Sequence, residues 1–258
     1  MTDIDLADIE SRLITVASGK GGVGKTWFSV TLADALAREG KKILLFDGDL
    51  GLANVDIQLG LMPKHDIGDV ISGAKSITSA TTRYEPPGAS YGFDILAGKS
   101  GSGALGALTR EKLASLRLGL SLAAEHYDHV ILDLAAGIDP AVTTLADNLG
   151  KQLVIMTADP TSLTDAYAYI KLKNMRQPGS DIRIIVNNVD SKRAGERAYE
   201  AINKACKGFL KISPPLAGII KTDSKVIEAI RSQTPLLARH PQAEAAKSVR
   251  KIVEGLQQ

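Results

Sequence analysis

Two lysines and four glycines share the run "GKGGVGKT", from Gly19 to Thr26, which fits G-x-x-x-x-G-K-[ST]. That spacing suits a triphosphate. Gly19, Gly21, Gly22 and Gly24 let backbone N–H groups curl around phosphate oxygens, with Val23 inside the loop, and a helix N-terminus beyond adds partial positive charge. Lys25 would reach the β- and γ-phosphates, and the Thr26 hydroxyl would ligate Mg²⁺. The motif arises by accident in roughly one chain of this length per hundred, and its place between an apolar run and a helical pattern makes accident rarer still. A glycine-rich turn alone would explain neither Lys25 nor Thr26. Lys20 is the residue that the motif does not require.

Carboxylates follow at two strand ends. "ILLFDGDLGL" carries Asp47 and Asp49 out of one apolar run, and "HVILD" ends another on Asp133. Asp-Gly is also a common turn signal, but two carboxylates leaving a strand beside a phosphate loop favour chemistry. Asp133 has the setting of a carboxylate aimed at a Mg²⁺-bound water. Asn187, in "IIVNNV", can donate and accept, which suits adenine and equally suits an ordinary strand end.

These groups need a scaffold of repeated βα units, and the chain supplies the pattern. Short apolar runs read as strands at "RLITVAS", "KKILLFD", "FDILAG", "HVILDLA", "KQLVIMTA", "IRIIVNNV" and "LAGII". Helical patterns lie between them, beginning "KTWFSVTLADALAREG", "LTREKLASLRLGLSLAAEH" and "SLTDAYAYIKLKNM". Several strands are apolar throughout, which predicts burial on both faces and a mostly parallel twisted sheet in an α/β fold of three layers, α/β/α. "TRYEPPGASYG" reads as a surface turn, because Pro86 and Pro87 cannot continue a helix. No repeat or linker divides the 258 residues, so one domain spanning 1–258 is expected.

Composition narrows the function classes. A net charge of +2 argues for neither an obligate nucleic-acid binder nor an acidic tail. Cys206 is the sole cysteine, which excludes an internal disulfide and a CxxC site. The acidic start "MTDIDLADIE" lacks a signal peptide's basic region, and no apolar run approaches a membrane span. A cytoplasmic protein is expected.

The loop "KGGVGKT" resembles the deviant phosphate loop of the MinD/ParA ATPases, and the resemblance to their P-loop NTPase fold runs from about Leu13 to the final helix. It implies ATP and Mg²⁺ as cofactors and an ATP-bound homodimer. In that family the lysine matching Lys20 reaches the partner's ATP and offsets charge on the transferring phosphoryl, as an arginine finger does. The resemblance makes Lys20, Lys25 and Asp49 catalytic, with Asp49 positioning the attacking water. Thr26, Asp47 and Asp133 then form the magnesium side, and Asn187 contacts adenine. "DLAAG" departs from the family at Ala135, Lys221 replaces a usual proline, and Trp27 stands where Thr or Asn is normal. Trp27 either packs against the fold or shields the nucleotide.

Within the family, "GLANVDIQLGL", "FDILAGKSGSGAL" and "ADPTSLTDAYAYIK" resemble the FlhG/FleN group, which controls flagellar number and placement. Thr161 or Ser162 capping a helix would explain only the start of the last stretch. The group implies an FlhF-like GTPase and flagellar basal-body components as partners, although residues 1–12 form a short extension unlike the group's usual stimulatory segment. About 241–258 reads as an amphipathic helix that either binds an anionic bilayer or packs on its own core, and packing is favoured. Any membrane contact, at the inner face or cell pole, is then peripheral and weak per subunit. The other readings are a MinD-like division-site regulator, a ParA-like cargo or DNA positioner, and a nucleotide-binding scaffold with little turnover. No specific nucleic acid is expected.

Overall fold

The computed structural model describes residues 6–49, 51–98 and 108–257. The short helix α1 (Leu6–Ser11) leads into β1 (Leu13–Ser18), the phosphate loop and α2 (Lys25–Arg38). Next come β2 (Ile43–Gly48), three short helices α3 (Val55–Leu59), α4 (Ile67–Ile71) and α5 (Ile77–Ala80), and strands β3 (Thr82–Tyr84) and β4 (Phe93–Leu96). Regular alternation follows: α6 (Arg110–Ala123), β5 (His129–Ala136), α7 (Pro140–Ala146), β6 (Lys151–Met156), α8 (Pro160–Arg176), β7 (Ile182–Val189) and α9 (Lys192–Ala205). A π-helical turn, Cys206–Leu210, joins α9 to β8 (Leu216–Lys221), and α10 (Ser224–Arg231), α11 (Leu236–Arg239) and α12 (Glu244–Leu256) complete the chain.

One eight-stranded sheet runs in the order β3-β4-β2-β5-β1-β6-β7-β8. Every neighbouring pair is parallel except β3 with β4. The central strands β1 and β2 are buried at every position, as apolar runs covered on both faces must be. One apolar core joins the sheet to α6, α7, α8 and α9, and a second joins it to α2, α11 and α12. The expected three-layer α/β/α arrangement is the observed one. The sheet order places β1 between β5 and β6, so the phosphate loop leaves the middle of the carboxyl edge.

One expectation needs correction. Thr82 to Gly92 is not all turn, because Thr82, Arg83 and Tyr84 pair antiparallel with Ile95, Asp94 and Phe93. Tyr84 is 6% exposed and its ring meets Phe93 at 5.3 Å. Three residues are too few to show alternation, and the prolines after them hid the edge strand. The alternatives for the last helix also separate. Ala245, Ala246, Val249, Ile252, Val253 and Leu256 of α12 are all buried in the second core, so its apolar stripe is consumed by packing. The quoted stretch "FDILAGKSGSGAL" falls partly outside the described residues.

A polar network is buried near the opposite, amino edge of the sheet. Asn148 and Gln152 both donate to the Thr15 hydroxyl, and Tyr169 donates to Gln152 Oε1. Beside it Lys173, 3% exposed, donates to the carbonyls of Ala146 and Asn148 and to Gln177 Oε1. Burial pulls the Lys173 ammonium down to about 8, opposed by the nearby Asp147 charge. Its folded value therefore lies below its unfolded value, so the unfolded chain holds more protons between about 8 and 10.5. Stability from this residue rises with pH across that window, by at most about 1.4 kcal/mol per pH unit. Denaturant titrations of wild type and Lys173→Met at pH values inside and below the window should show the wild type gaining relative to the variant as pH rises. A pH-independent difference would contradict the assignment.

Candidate functional site

The phosphate loop is held at Gly19 and Gly24 by contacts that leave no room for a side chain. Gly24 has φ 95°, a left-handed conformation that an L side chain rarely adopts. A Cβ there would also lie 2.4 Å from Trp27 Nε1 and 2.5 Å from Asn187 Nδ2. A Cβ on Gly19 would lie 2.1 Å from the Asp165 carbonyl oxygen, so the loop rests directly on the α8 backbone. Lys25 opens α2 and donates to Ser18 Oγ at 2.9 Å, while that hydroxyl donates to the Lys20 carbonyl at 2.7 Å. The first N–H groups of this 14-residue helix have no partners within it, which makes its start an anion site.

The carboxylates lie directly alongside. Asp47 on β2 is in register with Asp133 on β5, so the two side chains leave the sheet together. Asp47 is 1% exposed. Its Oδ1 accepts the N–H of Asp49, and its Oδ2 accepts those of Asn54 at 2.8 Å and Val55 at 2.9 Å. Asp133 accepts the Ser29 hydroxyl at 3.1 Å and that of Thr26. Burial, with the Asp133 charge adding to it, pushes Asp47 up to about 7. Burial pushes Asp133 up to about 6, against the hydrogen bond from Thr26 and the charge of Lys25. Burial lowers the Lys25 ammonium, and the charges of Asp133 and Asp49 oppose it.

Each of these groups is thus driven towards its neutral form. A divalent cation would favour the ionised carboxylates, and phosphate oxygens would favour the ionised lysine. The donor set fits a magnesium–nucleotide pair for that reason. Asp49 sits at the mouth, where its Oδ1 accepts the N–H groups of Gly51 and Leu52.

A cavity of about 710 Å³ runs from these groups to Asn187 and Lys221. Gly21, Gly22, Val23, Gly24, Lys25, Thr26, Trp27, Asp49, Asp133 and Asn187 all line it. Three other candidates do not. Gly19 is packed on α8, Asp47 lies beneath with its oxygens on the β2–α3 backbone, and Lys20 turns towards α8. At Asn187, Nδ2 donates to the Val23 carbonyl at 2.7 Å, which leaves Oδ1 as an acceptor. An acceptor there suits the amino group of adenine and opposes the oxygen of guanine. Trp27 packs on the second core, edge-on to Phe28 at 6.3 Å, while also forming a cavity wall. Lys221, in place of the usual proline, lines the same end and pairs with Glu244 at 3.6 Å.

The residues that sequence reasoning missed are hydroxyls. Ser18, Ser29 and Thr161 orient Lys25, Asp133 and Lys20, and isolated serines and threonines carry no spacing signal. Thr161 and Ser162 are not helix caps. Asp159 occupies the N-cap of α8 with Pro160 following, a position that fixes φ without needing an N–H. Thr161 Oγ1 instead accepts Lys20 Nζ at 2.7 Å, and Ser162 Oγ accepts the Thr157 N–H at 3.0 Å. After Asp133, Ala135 is still within β5, and the backbone turns at Gly137, which has φ 102°. The methyl group at Ala135 therefore sits in extended strand, where it costs no strain.

The chain matches the CobQ/CobB/MinD/ParA nucleotide-binding domain over residues 14–236. It is 34% identical over 94% of its length to the antiactivator FleN of Pseudomonas aeruginosa, covering 85% of that protein. It is 29% identical, over 94% of its length and 80% of the relative, to the flagellum site-determining protein YlxH of Helicobacter pylori. Among solved structures, the septum site-determining protein MinD of Pyrococcus horikoshii complexed with Mg-ADP superposes with TM-score 0.77 at 22% identity, covering 96% of each chain. The chain belongs to the MinD/ParA nucleotide-binding family.

The contact between loop and helix gives the first test of this site. Gly19→Ala should overpack the Asp165 carbonyl, destabilise the fold by about 1–3 kcal/mol and weaken nucleotide binding. A variant with wild-type melting temperature and wild-type affinity would show that the loop does not depend on α8.

Proposed function

We propose that this MinD/ParA-family ATPase is an ATP-driven dimerisation switch that sets flagellar number or placement. The observation that carries the proposal is the position of Lys20. Its ammonium lies on Thr161 at the edge of the phosphate loop, outside the cavity that Lys25 serves. A charge held there is placed to act on something beyond its own subunit's phosphates. The 34% identity to FleN and the likeness to YlxH support the flagellar assignment.

Thr26 and Asp133 are the residues that would hold Mg²⁺, which would supply positive charge against the phosphates. The amides of the loop and Lys25 hold the β- and γ-phosphates. Asn187 Oδ1 accepts the adenine amino group, and Trp27 closes the wall. Asp47 holds the backbone that carries Asp49 through the N–H groups of Asp49, Asn54 and Val55. Asp49 orients the attacking water. Lys20 leaves Thr161 and reaches the nucleotide of a second copy, where its charge offsets the charge of the transferring phosphoryl. Dimerisation therefore completes the site, and hydrolysis dissolves the dimer.

An FlhF-like GTPase and basal-body components are the partners that the flagellar reading implies, with peripheral contact at the inner membrane face. The division-site reading has less support, since α12 spends its apolar stripe on the core.

Trp27 is the chain's sole tryptophan and lines the cavity, so its fluorescence should report nucleotide binding directly. Wild-type turnover per subunit should rise with protein concentration. Lys20→Ala should keep the Trp27 response to ATP but lose about 10²- to 10³-fold in turnover and lose that concentration dependence. Asp49→Ala should keep nucleotide and dimer while hydrolysing little. Turnover independent of protein concentration in the wild type would overturn the switch.

A further inference from the structure

The turn joining α9 to β8 carries a feature that the nucleotide site does not use. Phe209, in the π-helical turn, is 80% exposed, while Cys206 at the start of the same turn is fully buried. A phenyl ring held in water is unfavourable, and a flexible turn would let it fold back. This turn is pinned. Lys211 takes the left-handed conformation at φ 59°, and its Nζ donates to the Gly208 carbonyl at 2.9 Å. Tyr199 donates to the Pro214 carbonyl, and Ser213 donates to Asn203 Oδ1. The ring is thus presented outwards by a built structure.

The turn itself carries charge of one sign. Lys204, Lys207 and Lys211 flank Phe209 and are all exposed, and no acidic residue occurs between Ala201 and Thr222. Glu200, one helical turn before Lys204, is the nearest acid in sequence, and Glu196 beyond it is paired with Lys192. α8 packs against the turn, and its Lys171 and Met175 are exposed, while its Arg176 is paired with Asp147. α9 runs back from the carboxyl end of β7 and delivers this turn to the start of β8, at the edge of the sheet opposite the nucleotide cavity. A surface engaged there leaves the phosphate loop and Lys20 free.

We propose that Phe209 and the lysines around it form a docking patch for an anionic phospholipid surface, a site for the peripheral membrane contact named above, on which reading this inference rests. Charge complementarity selects the partner. Lysine stems lie along apolar surface while their ammonium groups stay among headgroups, and an aromatic ring ahead of them enters the interface. From Lys204 to Lys211 there is no arginine to grip phosphates in pairs, as a nucleic-acid surface commonly would, and Arg176 of α8 is already paired with Asp147.

The test is co-sedimentation of the whole chain, without nucleotide, with vesicles of phosphatidylcholine alone or with roughly one third phosphatidylglycerol. Single-stranded DNA retention is measured alongside. Wild type should partition onto the anionic vesicles only and release as salt rises. Phe209→Ala and the pair Lys207→Glu/Lys211→Glu should each weaken that partition at least about fivefold, the effect of one lysine near a charged surface. All three proteins should keep the same Trp27 response to ATP, since the patch lies away from the cavity.

Anionic-vesicle binding that both variants retain would place the membrane contact elsewhere. No vesicle binding by the wild type would overturn the peripheral contact itself, while the ATP switch, tested separately by turnover, would stand. DNA retention lost in the variants, with vesicles ignored, would make the patch a nucleic-acid surface and overturn the lipid assignment.

Discussion

Two carboxylates buried side by side, Asp47 and Asp133, set the terms for everything at the carboxyl edge of the sheet. Parallel strands in register deliver them to the same level, and burial makes their simultaneous ionisation costly. The protein offsets part of that cost with backbone N–H groups on Asp47 and with Ser29 and Thr26 hydroxyls on Asp133. The rest awaits a cation. Lys25 has the mirror problem, a buried positive charge whose natural partner is a phosphate. A magnesium–nucleotide pair answers both at once, and neither half would do so alone. The same hydrogen bonds make Asp47 the anchor of the segment after β2, so the charge state of the site and the position of Asp49 are mechanically joined.

Helix α8 is the second organising element. Its backbone at Asp165 supports Gly19, and Thr161 in its first turn holds Lys20. One helix therefore fixes both the floor of the phosphate loop and the resting place of the charge that the proposed dimer needs. Pro160 sets the helix start that puts Thr161 there. Movement of Lys20 to a second subunit has to break one hydrogen bond from its charged ammonium to a neutral hydroxyl, worth about 1.5–3 kcal/mol net. A carboxylate in that place would hold it harder.

The phosphate loop, the strand pattern and the two carboxylate-bearing strand ends were legible because each is a spacing written in consecutive residues. The parallel sheet followed from strands apolar on both faces, whereas the apolar stripe of α12 suits a bilayer as well as a core, and the burial of its residues is what separates the two. The β3 strand escaped because three residues before two prolines show no period. Ser18, Ser29 and Thr161 escaped for a different reason. Thr161 acts on Lys20 and Ser29 on Asp133, residues far away in the chain that only the fold brings together, while Ser18 acts on nearby Lys25 through a loop path that no residue spacing marks. Asp47 was legible as part of the site, but the three N–H groups that it accepts come from a loop whose path the sequence does not spell out. Phe209 drew no notice in "AINKACKGFL" because an exposed ring and a buried one look alike until the turn is built.

The central claim is that Lys20 exchanges a partner in its own subunit for one in a second subunit when ATP is bound. Light scattering with wild type and Lys20→Ala, in ADP and in a non-hydrolysable ATP analogue with Mg²⁺, tests it most directly. A doubling of mass for wild type with the analogue alone is the predicted result. Monomers under every condition, or a variant that doubles as readily as wild type, would contradict it.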